Sequence, residues 1–483
     1  MTRSPRLPGR PAATALAAAA LVLAGCAALP DSAAPPTPLR TDALASARSL
    51  AAPAAAWPDE AWWKAYGDPQ LDALIAEGLT GSPSIATAMA RLARAESQVQ
   101  TARAADLPQL SANASINQQK QSYEYLSPRA VTPQGWNDYG RATLDFSWDL
   151  DFWGRNRAAF KAALSDAGAA RADAAQARLM LATSIASAYA EFVRLGAAED
   201  TAAAALEVRS KTVTLFRQRL DNGLETLGGV RQVEARREMA EADLLTVREQ
   251  LALQRNRLAA LAGAGPDRGL ALTRPAGGLA RTFGLPASLP AELVGRRPDI
   301  VAARLRVEAA GGRIDSARAA FYPNVNLAAF IGVQSLGLDR LMHGGSSIGS
   351  VGPAISLPIF EGGRLRGQLR GTQADYAAAV ASYDDTLVRA LQDVADVATS
   401  ERALGGELSR TAAGVDAAQE AWRIQARRYE GGLTNALDVL TAEDTWLANR
   451  RTLSDLQSRA FSLDVALQRA LGGGYAEDRA ARS

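Results

Sequence analysis

The chain has 483 residues, about half of them apolar and about a fifth charged, which excludes general disorder. Its formal charge is +2, and taking away the three basic residues of positions 1–25 leaves −1, so no field draws it to nucleic acid. One histidine and one cysteine exclude an internal disulfide and leave no nucleophile–base constellation or metal-ligand cluster to assemble.

Arg3, Arg6 and Arg10 precede the apolar stretch Ala13–Leu23, and small residues and Cys26 follow. That order is the pattern of an export signal over residues 1–25, too short for a comfortable membrane span. Leu23-Ala24-Gly25-Cys26 resembles a bacterial lipobox, which implies that Cys26 becomes the acylated first residue of the mature chain. In that resemblance Ala27, where an acidic residue does not follow the cysteine, favours delivery to the outer membrane. Residues 26–58, rich in Pro and Ala, read as an extended tether. No later window has the long apolar run of a transmembrane helix, so any crossing must be a closed β-barrel.

The rest divides into two similar units, 59–270 and 271–474, followed by a tail at 475–483. Gly154-Arg155-Asn-Arg157 echoes Gly363-Arg364-Leu-Arg366, and Asp221-Asn-Gly223-Leu224 echoes Glu430-Gly-Gly432-Leu433, at offsets near 210. Each unit predicts two strands. Leu110 to Ile116 alternate with polar residues, as do Ala142 to Leu150 and Val325 to Val333, and Val351 to Ile359 do so more weakly. An ordinary half-buried sheet has the same period; apolar-out and polar-in is also what a barrel with a wet lumen requires. Long helices tip the balance. No proline lies between Pro133 and Pro266 or after Pro358, and Phe160–Arg219 is expected to form one helix. Small seam residues such as Ala182 and Ala186 suit a broad multi-helix wall. The helices pair as hairpins that turn at Gly223 and Gly432, where glycine takes the left-handed conformation. Four strands cannot close a transmembrane barrel, and two copies would close without a useful pore, so three copies are preferred.

These motifs resemble the TolC-type outer membrane factors, specifically their NodT/OprM-like lipoprotein branch. The segments that carry the likeness begin with Trp62-Trp63 through Ile75 and Ser147-Trp148 through Arg155. Leu293 through Ile300, Ala317 through Pro323 and Gly352 through Arg364 continue it in the same order. The resemblance implies an α+β membrane protein. It would be a homotrimer with a twelve-stranded barrel, four strands per chain, above a long periplasmic α-helical barrel. It further implies an efflux exit channel in the outer membrane, extending into the periplasm, with no catalysis and no cofactor beyond the lipid on Cys26. Its partners would be a periplasmic adaptor, an inner-membrane pump and outer-membrane lipid. A polypeptide secretion duct and a structural periplasmic lipoprotein are the alternatives, and the second has no use for four amphipathic strands.

By the same resemblance Gly223, Leu224, Gly432 and Leu433 form adaptor-contacting hairpin tips, though a turn alone explains the glycines equally well. Asp438, Tyr429 and Thr441 fall at gate positions. Asp438 would form a carboxylate ring that favours cations; it also stands three residues after Asn435, as in a helix cap. Thr441 occupies the second acidic ring position. Tyr429 matches a latch tyrosine, but Gly229 and Thr434 stand where its acidic and basic partners belong, so closure is expected to rest on packing around Tyr429 and Leu433. His343 lies in a Gly-rich loop and is expected to be solvated.

Overall fold

The computed structural model describes residues 34–124, 129–275, 283–287 and 289–477. The signal segment, Cys26 and the last six residues of the tail lie outside them. Two short helices open the fold, α1 (Pro69–Gly81) and α2 (Pro83–Ala104), then strands β1 (Gln109–Gln119) and β2 (Asn137–Asp149). Helices α3 (Arg155–Asp221) and α4 (Leu227–Leu261) complete the first unit. After α5 (Asp267–Leu270) and α6 (Leu289–Arg296), the order repeats as α7 (Pro298–Ala319), β3 (Asn324–Leu336), β4 (Ser347–Ser356), α8 (Arg364–Glu430) and α9 (Ala436–Ala470). Both α3 and α8 have 67 residues, and both α4 and α9 have 35, which is the duplication expressed in backbone. A 67-residue helix is roughly 100 Å long. β4 ends at Ser356, short of the alternation read out to Ile359, because its partner β3 begins at Asn324, directly opposite Ser356.

The chain falls into two compact units. One comprises residues 93–169 and 303–382 with a short N-terminal piece, and holds the sheet, in strand order β1-β2-β3-β4, antiparallel throughout. Its helical part packs Ile314, Ala317 and Phe321 against Leu369.

The other unit comprises residues 39–92, 170–302 and 383–483. Its main core gathers Trp62, Leu71, Leu74 and Ile75 against Ile185, Tyr189, Phe192 and Leu258. Asp68 starts α1 by accepting from the N–H groups of Gln70 and Leu71, and it also accepts from the Tyr189 hydroxyl at 2.7 Å. The expected second-repeat motif around Arg297 has a physical reason. Its guanidinium, 9% exposed, donates to both oxygens of Asp299, to Asp393 at 3.0 Å and to the Ala470 carbonyl at 3.2 Å.

Part of the segment expected to be an extended tether is instead fastened to this unit. Leu39 donates its N–H to Asp384, Arg402 donates to the Ser49 carbonyl, and Ala54 bridges Leu285. Arg296 lies over the Trp57 ring at 5.1 Å. A Pro/Ala-rich stretch has no periodicity of its own, so such docking onto neighbouring groups has no sequence signal.

Candidate functional site: a bare sheet face and two hairpin ends

The register of the sheet sorts its side chains. Leu110, Phe146, Ala329 and Val351 align across the four strands, and Ala112, Leu144 and Ile331 form the next row of the same face. This apolar face is bare: Leu110 is 69% exposed, Ile331 68% and Val351 77%. A contiguous apolar surface of this kind calls for a partner or a lipid solvent. The opposite face carries Ser111, Asn113, Thr143, Asp145 and Arg141. Asp145 there accepts from Asn113 at 2.9 Å and from Thr143 at 2.7 Å. Among the described residues β1 and β4 each pair along one side only, so two edges stay open. If lipid covers the apolar face, Val351→Arg should cost about 2–4 kcal/mol at mid-membrane depth and deplete the protein from outer-membrane fractions. A normal level in that fraction would place this face elsewhere.

In the helical unit, α3 and α8 end in the same way. Gly223 and Gly432 have φ of 71° and 73°. The N–H of Leu224 returns to the Arg219 carbonyl and that of Leu433 to the Arg428 carbonyl, both at 2.8 Å. These are Schellman ends, which require the left-handed residue that glycine supplies without strain. Thr226 caps α4 by accepting from the Gly229 N–H, and Asn435 caps α9 by accepting from the Asp438 N–H. Leu224, Leu227, Leu433 and Leu437 are all exposed around these turns.

The expected gate residues are brought to the same end of the unit. Asp438 is exposed, on the first turn of α9, and its carboxylate accepts from the Thr434 hydroxyl. Thr441 is exposed, and its hydroxyl is turned back to the Leu437 carbonyl. Tyr429 is 2% exposed and packs with Val213, Phe216, Val230, Val439 and Leu440. Its ring stacks on Phe216 at 5.3 Å, and Arg219 lies over it at 4.3 Å while also donating to its carbonyl.

Leu433, 73% exposed, lies outside this buried cluster. Tyr429 also has a polar partner away from the expected positions: its hydroxyl donates to Glu225 at 2.7 Å. The acid sits one turn before Gly229, and a side-chain carbon added at Gly229 would fall 2.6 Å from the Glu225 carboxylate. The glycine therefore leaves the space that the displaced acid fills. The Thr226 N–H, then the Tyr429 hydroxyl and Arg219, hold the Glu225 carboxyl below the usual carboxylate range. Burial, then the bond to Glu225, pushes the Tyr429 hydroxyl up.

A second polar cluster had no sequence signal. Glu443 on α9 is 1% exposed, and accepts from Thr212 at 3.1 Å. Burial pushes its carboxyl up. Beside it, Asp444 pairs with Arg209 at 3.1 Å and Arg236 at 2.8 Å, joining three helices. Among the described residues no helix is long and apolar enough to cross a membrane, and no group of His, Cys, Asp and Glu has the arrangement of a metal site.

Known proteins share this arrangement. A profile of the outer membrane efflux protein family matches residues 74–264 and 289–473. The multidrug resistance outer membrane protein MdtP of Escherichia coli K12 is 33% identical over 465 residues, 94% of either chain. The fusaric acid resistance protein FusA of Burkholderia cepacia is 40% identical over 372 residues, 75% of this chain and 69% of that one. Among solved structures, the outer membrane protein VceC from Vibrio cholerae superposes with a TM-score of 0.82 at 50% identity, covering 86% of this chain and 100% of that one. The fold is that of the TolC-like outer membrane channels. The chain belongs to the outer membrane efflux protein family, and its place is the outer membrane.

Proposed function

We propose that three copies of this chain close into the exit duct of a tripartite efflux system, passing small toxic organic compounds out of the cell without catalysis. The single observation behind the reading is the four-stranded sheet with a bare apolar face, a polar face and two open edges. Three such sheets give twelve strands, enough for a water-filled lumen inside a lipid-facing wall. Relatives whose names record resistance to several drugs and to fusaric acid support the substrate class.

In this reading residues 1–25 direct export, Cys26 carries the lipid, and 59–270 and 271–474 are the two repeats of the duct. Gly223, Leu224, Gly432 and Leu433 meet a periplasmic adaptor, which links the duct to an inner-membrane pump. Tyr429 with Glu225 holds the periplasmic end closed, and Asp438 adds negative charge at the opening, with Thr441 beside it. In-cell crosslinking from Asn222→Cys and Gly431→Cys tests the partner assignment. Capture of an adaptor, with its pump co-purifying, is the expected result. A channel that inserts normally and captures no adaptor would end the tip-docking reading, and capture of a polypeptide exporter would move the protein to protein secretion.

A further inference from the structure

Within the unit that holds the sheet, a cavity of about 760 Å³ opens between the starts of α3 and α8 and the end of α7. Its wall combines three features. Arg155, Arg313 and Arg364 line it together with Asp166 and Glu361. Each guanidinium is held by one carboxylate: Arg155 by Asp149 at 2.9 Å, Arg313 by Asp166, and Arg364 by Glu361. An arginine has five N–H donors, so each keeps donors for a further anion. Tyr322 supplies an aromatic surface in the same wall, fixed from behind by Trp153, which stacks on it at 4.8 Å and donates its own N–H to the Pro323 carbonyl. Finally, Asn324 is one of the lining residues, and its side-chain oxygen is buried with no described residue donating to it.

The cavity lies on the polar side of the sheet. Asn324 pairs with Ser356, and two residues along β3 Asn326 pairs with Asp149, so Asn324 and Asn326 share the face opposite Val325 and Leu327. Spare guanidinium donors ask for an anion, the ring asks for a flat apolar body, and the orphan acceptor asks for a donor. We propose that this recess binds small aromatic acids that also carry a hydroxyl or N–H donor, as a wall site along the export path. The proposal rests on the channel reading, in which the polar face meets the water-filled path.

Salicylate, a benzoate with a neighbouring hydroxyl, is the probe, titrated calorimetrically into the purified full-length protein in lipid nanodiscs. Saturable binding is expected, about tenfold weaker for benzoate, which lacks the donor, and at least about tenfold weaker for neutral salicylamide. Arg313→Gln and Arg364→Gln should each weaken salicylate at least about tenfold. Tyr322→Leu, which disturbs no ion pair, should also weaken it and serves if an arginine variant fails to fold. Absence of saturable salicylate binding, equal binding of salicylamide, or undiminished binding in well-folded arginine and tyrosine variants would each overturn the proposal. Export of a neutral dye by cells carrying the same variants separates the two readings. Dye export without salicylate binding removes only the recess, whereas a wild-type protein that exports nothing removes the channel.

Discussion

Cells carrying Tyr429→Ala should become more sensitive to large antibiotics that the closed channel keeps out. The ring is fully packed, and removing a buried aromatic side chain costs about 3–5 kcal/mol. Loss of that packing loosens the ends of α3 and α8 together, since Arg219 on α3 grips the Tyr429 backbone and ring. Tyr429→Phe should have a smaller effect, about 1.5–3 kcal/mol, because it removes only the hydroxyl that bonds a carboxylate. The contact also carries a pH dependence. Glu225 has a folded pKa below its unfolded one, so its contribution is present above the unfolded value and lost as pH falls through the folded value. Conductance in planar bilayers should therefore rise only in acid, below the range of ordinary glutamates. Glu225→Gln should abolish that step. Unchanged antibiotic susceptibility in Tyr429→Ala, at equal expression, would show that this contact does not close the channel.

Arg297→Met should lower the thermal denaturation midpoint far more than the matching change at exposed Arg389. Arg297 is buried and binds two carboxylates and a helix-end carbonyl, so its loss takes from Asp299 and Asp393 the cation they share. Breaking a buried pair from one side costs about 3–5 kcal/mol, whereas the surface pair of Arg389 with Asp385 contributes under about 1 kcal/mol. Arg297→Lys should recover only part of the loss, because an ammonium cannot serve Asp299 with two parallel bonds. Equal melting of the Arg297 and Arg389 variants would refute this account.

How much was readable beforehand depends on the range of the interaction. The strands were legible because period-two alternation survives whatever the sheet packs against, and the hairpins because Gly223 and Gly432 stop helices locally. The 67-residue helices were legible from the absence of proline. The partner of Tyr429 was not, since Glu225 reaches it across 204 positions and its place depends on a side chain missing at Gly229. Buried Glu443 was equally silent, because its Thr212 partner lies 231 positions away. The docking of residues 39–57 went unseen because its partners there are backbone groups, the Leu39 N–H that donates to Asp384 and the Ser49 carbonyl that accepts from Arg402, and every sequence possesses such groups. Where the chain reads only its own neighbours, sequence suffices; where distant side chains meet, it does not.

The two open sheet edges carry a consequence for biogenesis. A protomer with four finished strands has nothing to terminate its ladder, and an unpaired edge beside a bare apolar face is a template for wrong partners. In the proposed trimer the concentration of closed channels rises as roughly the third power of free protomer concentration, so the assembled fraction rises as roughly its square when assembly is incomplete. Weak expression should thus leave disproportionately many unassembled protomers exposed to proteases, and strong expression before delivery to the membrane should favour aggregates. For this protein the supply rate at the membrane decides between a finished duct and a misassembled one.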